Sequence, residues 1–206
     1  MTPSTPTVFV VDDYEPVRRS ISRLLHAAGF AVVAFASADE FLAQLDPQTM
    51  GCLVLDVAMP ALNGLELQHI LAKTGSLLPS IFLTGTGDIP KSVQAMKGGA
   101  SDFLTKPVND EDLIAAVGAA IEKNRALRQE QAKLSEIEAR LATLTPRERE
   151  VLEYVVAGKL NKQIAGHLGT VEQTVKIHRA RVMEKMRVRS VAELVRLTQR
   201  CGIGAR

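Results

Sequence analysis

Five short apolar runs punctuate the first half of the chain: TVFVVD (7–12), AVVAFA (31–36), CLVLD (52–56), SIFLTG (80–85) and DFLTKP (102–107). None alternates apolar with polar residues. A strand that is apolar at successive positions buries both of its faces, the condition of a parallel sheet covered by helices on either side. The intervening segments have helical spacing. Val17, Ile21, Leu24 and Leu25 share a face of a helix from Pro16 to Ala27, and Ser37 with Glu40 makes a capping box ahead of FLAQL. Asn63-Gly64-Leu65-Glu66 opens a third helix, a fourth is expected over about 89–97, and Asn109 with Asp112 caps a fifth that starts LIAAVGAAIE.

Strand and helix therefore alternate five times, which predicts an α/β fold. The expected form is a flavodoxin-like, doubly wound (βα)5 domain with strand order 2-1-3-4-5. Ligands of such sheets sit beyond the carboxyl ends of the strands. Those ends carry Asp12 and Asp13, Asp56, Thr84 and Lys106, from four strands that this order makes contiguous. Each residue alone has an ordinary explanation as a cap, a loop hydroxyl or a solvated lysine; together they supply one rim with complementary groups. Three carboxylates converging in a partly buried pocket cannot all stay ionised without a divalent cation, and oxygen-only ligands select a hard ion, Mg2+. Lys106 and Thr84 beside that ion suit a phosphoryl group in transfer to a carboxylate oxygen.

The net charge of +2 conceals an asymmetry. Residues 1–122 hold 7 Lys and Arg against 14 Asp and Glu, whereas residues 123–206 hold 18 against 9. Such an asymmetry points to an acidic regulatory or metal-binding module joined to a nucleic-acid-binding one. No apolar run is long enough to span a bilayer, no secretory leader opens the chain, and Cys52 and Cys201 lack metal or redox spacing, so a cytoplasmic protein is expected.

The segments VVDD, LDVAMPALNGLEL, LTGTGD and AMKGGASDFLTKP resemble the receiver domain of two-component response regulators over about 120 residues. The resemblance implies that Asp56 accepts a phosphoryl group from a sensor histidine kinase. It implies that Asp13, Asp56 and the Ala58 carbonyl ligate Mg2+ with Asp12 assisting, that Thr84 and Lys106 contact phosphoryl oxygens, and that Phe103 is the aromatic whose rotamer follows Thr84. Tyr14 stands where a third acid is frequent, Thr86 where a histidine is common, and Ala58 offers no side chain to steer water. A phosphatase of the haloacid dehalogenase type uses a similar set but needs an acid at position 58; Ala58 argues against it.

From Ile121 to Leu144 there is no Gly or Pro, so the fifth helix should continue as a connector, taken as residues 123–141 between a receiver of 1–122 and a final domain of 142–206. Leu127, Leu134 and Leu141 fall seven apart with Ile137 and Leu144 beside them, either a parallel dimer seam or a face packed on its own domain. Thr145-Pro146-Arg147-Glu148 starts the first of four helices expected in an all-α domain. The third of these turns Val175, Val182 and Met186 inward, with His178 and Met183 near them, and Gln173, Thr174, Lys176, Ile177, Ala180 and Arg181 outward. That outward mixture suits base edges and thymine methyls in a major groove, with Lys162, Arg179, Lys185, Arg187 and Arg189 flanking it toward phosphates.

LTPREREVLEYVVAGKLNKQIAGHLGTVEQTVKIHRARVMEKM resembles the LuxR-type helix-turn-helix, and with the receiver the chain resembles a response regulator of the FixJ-like subfamily. The resemblance places base-reading positions near Lys176, Ile177 and Ala180, with Asn161, Lys162 and Thr174 close to the DNA backbone. Val171 replaces the usual small polar residue at the start of the recognition helix, which moves the expected cap to Thr170. The expected protein is a transcription factor and not an enzyme beyond its own phosphotransfer and dephosphorylation. Phosphorylation would favour a homodimer through the surface formed by the helix at 89–97, the strand at 102–107 and the helix after it. Its partners would be a kinase, double-stranded promoter DNA and, as a further contact open to such a regulator, RNA polymerase. Two other readings stay open, action on DNA without phosphorylation and a receiver that serves as an interaction module.

Overall fold

The computed structural model describes residues 5–85 and 96–203, and contacts divide the chain into two units, Met1–Arg128 and Gln129–Arg206. The division falls inside the connector read at 123–141.

The first unit is built on strands β1 (Thr7–Val11), β2 (Ala31–Phe35), β3 (Gly51–Asp56), β4 (Ser80–Thr84) and β5 (Asp102–Thr105). They form one sheet in the order β2-β1-β3-β4-β5, every neighbour parallel. Among the described residues, helices α1 (Glu15–Ala27), α2 (Ala38–Gln44), α3 (Gly64–Lys73) and the amino-terminal part of α4 (Asp110–Ala142) accompany it. Consecutive residues of one strand enter opposite cores, which is why the runs do not alternate. Val8 and Val10 pack with Ile21, Leu25, Leu113 and Val117 on one face. Phe9 and Val11 pack with Phe35, Phe41 and Leu67 on the other, each large side chain contributing about 1.5–3 kcal/mol by leaving water. The helix expected over 89–97, and Thr86 with it, lie for the most part outside the described residues.

The helix starts follow their sequence signals. Ser37 accepts the Glu40 N–H at 3.1 Å, although the Glu40 carboxylate reaches the Ala36 N–H one residue upstream. Asn63 and Glu66 make a complete capping box at 3.0 Å in each direction. Asn109 accepts the N–H groups of Glu111 and Asp112. Gly64 is required at the head of α3 by space, because a Cβ there would stand 2.3 Å from the Asp56 carbonyl oxygen.

The second unit packs α5 (Pro146–Val156), α6 (Asn161–His167), α7 (Glu172–Lys185) and α8 (Val191–Gln199) around Leu152, Ile164, Val175, Val182, Met186 and Leu194. Ile137, Leu141 and Leu144 join this core, so the later half of the leucine series packs on its own unit, while Leu127 is exposed. Thr145 and Glu148 form the expected capping box, and Ser190 caps α8 by accepting the Glu193 N–H. The start of α7 differs from expectation. Thr170 belongs to the closing turn of α6, where its N–H binds the Ala165 carbonyl at 3.0 Å after Gly169 at φ +61°. The N-cap is Val171, whose carbonyl accepts from Thr174 and Val175 and whose side chain makes no cap bond.

Candidate functional site

The sheet order brings the polar strand ends together. Asp12 follows β1, Asp56 ends β3, Thr84 ends β4 and Lys106 follows β5. The Lys106 N–H donates to the Thr84 carbonyl at 2.6 Å, which continues the β4–β5 pairing and aims the lysine side chain back over the sheet. Its Nζ lies 2.7 Å from Asp12 Oδ2 and 2.7 Å from Asp56 Oδ1. The other oxygens are also held: Asp12 Oδ1 accepts the Tyr14 N–H at 2.9 Å and Asp56 Oδ2 the Ala58 N–H at 2.7 Å. Asp12, Asp56 and Thr84 are 1%, 7% and 2% exposed.

One ammonium thus serves two buried carboxylates and leaves the centre with a net negative charge. Burial alone would lower the Lys106 pKa, but the hydrogen bonds and charges of Asp12 and Asp56 outweigh it and raise the value above the ordinary lysine range. Asp13 is exposed on the rim, and among the described residues no three acid, His or Cys side chains stand close enough to hold a metal ion as they are. The donors are nevertheless all oxygen, and Asp12 and Asp56 already share one cationic atom, so the chemistry of the set fits a hard divalent ion. Phe103 is partly buried against the core that contains Phe82 and Phe35, and Ala58 is exposed beside the acceptor.

One contributor carried no sequence signal. The Arg18 guanidinium donates to the Asp12 carbonyl at 2.7 Å and to the Asp13 carbonyl at 3.3 Å, fixing the loop that carries both acids. Only a helix turn returning toward its own loop puts it there.

In the second unit α6 and α7 are joined by a tight turn. On α7, Gln173, Lys176, Ile177, Ala180 and Arg181 are exposed and Thr174 is half-buried, opposite buried Val175 and Val182. Lys162 is exposed; Asn161 accepts from Arg179 at 3.0 Å and ties the start of α6 to α7. Lys185 departs from its expected place on the phosphate-facing flank. Its ammonium turns inward to Glu148 at 2.6 Å and to the Thr143 carbonyl at 3.0 Å, because Glu148 is buried and needs a cation.

Residues 8–118 match the model of the response regulator receiver domain, and residues 142–198 that of the bacterial regulatory proteins of the luxR family. The chain belongs to the response regulators. Nodulation protein W of Bradyrhizobium diazoefficiens is 48% identical over 198 residues, 96% of this chain and 87% of that protein. Transcriptional regulatory protein FixJ of Rhizobium meliloti is 45% identical over 198 residues, 96% of this chain and 97% of FixJ. The low-resolution structure of response regulator StyR matches with a TM-score of 0.83 at 44% identity, covering 95% of this chain and 99% of StyR. This response regulator therefore joins a receiver, a family that generally binds a divalent metal and takes its signal from a phosphodonor kinase, to a LuxR-type DNA-binding domain. No described helix is long and apolar enough to cross a membrane.

Proposed function

We propose that Asp56 accepts a phosphoryl group from the phosphohistidine of a sensor histidine kinase, and that the acyl phosphate promotes homodimerisation and binding of promoter DNA. The observation that carries this reading is the Lys106 ammonium held 2.7 Å from both Asp12 and Asp56. A carboxylate oxygen attacks phosphorus as the P–N bond to imidazole breaks, and the charge on the phosphoryl oxygens must be met by fixed cations and donors. Lys106 supplies the cation and Thr84 the donor. The Ala58 N–H fixes the carboxylate plane by holding one Asp56 oxygen, and Asp12 keeps the lysine seated while Asp56 changes from carboxylate to acyl phosphate. Asp12, Asp13, Asp56 and the Ala58 carbonyl would hold the divalent ion, with Mg2+ the hard cation that suits them, and that ion supplies further charge neutralisation when bound. Phe103 follows Thr84 and carries the change to the receiver surface.

Dimerisation places two α7 helices on half-sites about one DNA turn apart. Lys176, Ile177, Ala180, Gln173 and Arg181 then face base edges, and Asn161, Lys162 and Thr174 the backbone. The protein works in the cytoplasm beside its promoter, where RNA polymerase is a further partner, and it has no turnover chemistry beyond its own phosphorylation state.

Treatment of the full chain with acetyl phosphate and Mg2+ should add a phosphoryl group detectable by intact mass, shift the chain toward dimer and raise its affinity for the DNA it selects from random fragments. Asp56→Asn should lose all three responses; the same response in that variant would refute the switch.

A further inference from the structure

The carbonyl-side ends of β3 and β4 carry Asp56 and Thr84, but the opposite ends of these strands are also joined, by a single buried side chain. Asn124, on α4, is 0% exposed. Its Oδ1 accepts the N–H of Gly51, the first residue of β3, at 3.1 Å, and its Nδ2 donates to the Leu77 carbonyl, just ahead of β4, at 2.6 Å. One turn later Arg128 braces the same amide through Nε at 3.3 Å and donates to the carbonyls of Pro47 and Thr49, which lead into β3, at 3.0 and 2.5 Å. Gly51 leaves no room for a side chain. It sits at φ +146°, and a Cβ there would fall 1.8 Å from the Thr7 carbonyl oxygen.

A buried amide with both its oxygen and its nitrogen engaged fixes its helix against both strands, since slippage would strand a backbone N–H and a carbonyl away from water. The strands are short and buried throughout, so a displacement at one end is not absorbed along their length. The helix that carries Asn124 and Arg128 runs without interruption from Asp110 to Ala142 and so becomes the connector.

We propose that Asn124 and Arg128 are positioning residues through which the phosphorylation state of Asp56 reaches the connector: β3 and β4 act as struts between the acceptor site and this node. The inference rests on Asp56 being the phosphoacceptor, and it assigns the output to the far end of the sheet in addition to the surface around β5.

Arg128→Ala removes the brace from a half-buried position and leaves the Asn124 bonds in place, so the fold should survive; Asn124→Asp, which keeps the acceptor and removes the donor to Leu77, is the second variant. Hydrogen exchange of residues 123–142 in the full chain, with and without acetyl phosphate and Mg2+, is the direct readout. Wild-type protein should change exchange there on phosphorylation. Both variants should incorporate phosphoryl at Asp56 to the wild-type extent but lose most of that change, and their phosphorylation-dependent gain in DNA affinity should fall about three- to thirtyfold, as coupling substitutions do. Wild-type connector exchange that ignores a confirmed phosphorylation, or variants that melt earlier yet respond fully, would overturn the node as a coupling element and leave the Asp56 switch standing. Absence of phosphoryl incorporation in the wild type would instead overturn the switch itself, and the node with it.

Discussion

Each unit of this protein holds a lysine against buried carboxylate at nearly the same distance, yet the two pairings are built to opposite ends. Lys106 meets Asp12 and Asp56 at 2.7 Å, and Lys185 meets Glu148 at 2.6 Å. The lysines are 25% and 33% exposed and the carboxylates at most 10%. Stoichiometry separates them. In the helical unit one acid has one base, and the Glu148 carboxylate also accepts the Thr145 N–H at 2.9 Å, so charge and hydrogen bonds close. In the receiver two acids share one base, with Asp13 exposed on the same loop, so the centre has an excess of formal negative charge, the condition under which a hard divalent cation would bind. A balanced buried pair fixes a fold; an unbalanced one is a site.

The largest test of that contrast is Glu148→Ala. It leaves the Lys185 ammonium facing the core and breaks the α5 capping box, and should destabilise the helical unit by about 3 kcal/mol, the low end of the range for a broken buried pair because Lys185 stays part-exposed. Hydrogen exchange of the α7 amides measures it; a loss under 1 kcal/mol would demote the pair to an ordinary surface contact. One member of each centre also gives it a pH dependence of known sign. Lys185 and the Thr145 N–H hold the Glu148 carboxyl below its usual range, so its contribution is present above the unfolded glutamate value, about 4.3, and is lost as pH falls through the lower folded value. The Lys106 pKa is raised, so its contribution is present below about 10.4 and is lost as pH rises through the folded value. Exchange of the α7 amides on acidification should follow the first loss, and exchange of the β5 amides in alkali the second.

Gly64→Ala comes next. Its new methyl would press on the Asp56 carbonyl at 2.3 Å and on Leu55 and Phe82 at 3.1 Å, costing about 2 kcal/mol by overpacking. Phosphoryl incorporation from acetyl phosphate should fall with it, because the carbonyl that moves belongs to the acceptor. Asp56→Asn should cost less than 1 kcal/mol or stabilise the receiver, since it relieves an excess of buried charge; a loss near that of Glu148→Ala would erase the distinction between the two centres.

What the sequence disclosed follows the same line. The unbroken apolarity of VFVV and CLVL specified a two-faced sheet, and the strand ends then placed Asp12, Asp56, Thr84 and Lys106 without further information, because a parallel sheet offers one such rim. The capping residues Asn63, Thr145 and Ser190 were equally legible, being local hydrogen-bond chemistry. The Lys185 pair was not legible, because a helical wheel gives direction but not the distant acid that the ammonium meets: Glu148 lies 37 positions away. Val171 took the cap expected of Thr170 because closing α6 through Gly169 had already used that turn. Arg18, Asn124 and Arg128 were invisible for the same reason, as each acts on backbone atoms that no side-chain pattern records.

A third lysine pair, on α7, calibrates the other two. Lys176 stands 3.3 Å from Glu172 at an i,i+4 spacing, with both side chains about half exposed. Water screens such a pair, and its ordering cost offsets most of the attraction, so Glu172→Gln should change stability by about 0.3 kcal/mol. If α7 meets DNA as proposed, its effect on binding should be larger than its effect on folding, because the carboxylate would compete with nucleic acid for Lys176 and add its own repulsion toward phosphate. The variant should bind selected and random duplexes more tightly by a similar small factor, with a steeper dependence on salt. Tighter binding to the selected duplex alone would mean that Glu172 reads sequence, and weaker binding would mean that the pair orients Lys176; either would place this third pair nearer the receiver centre, as a functional arrangement of charge, than its exposure suggests.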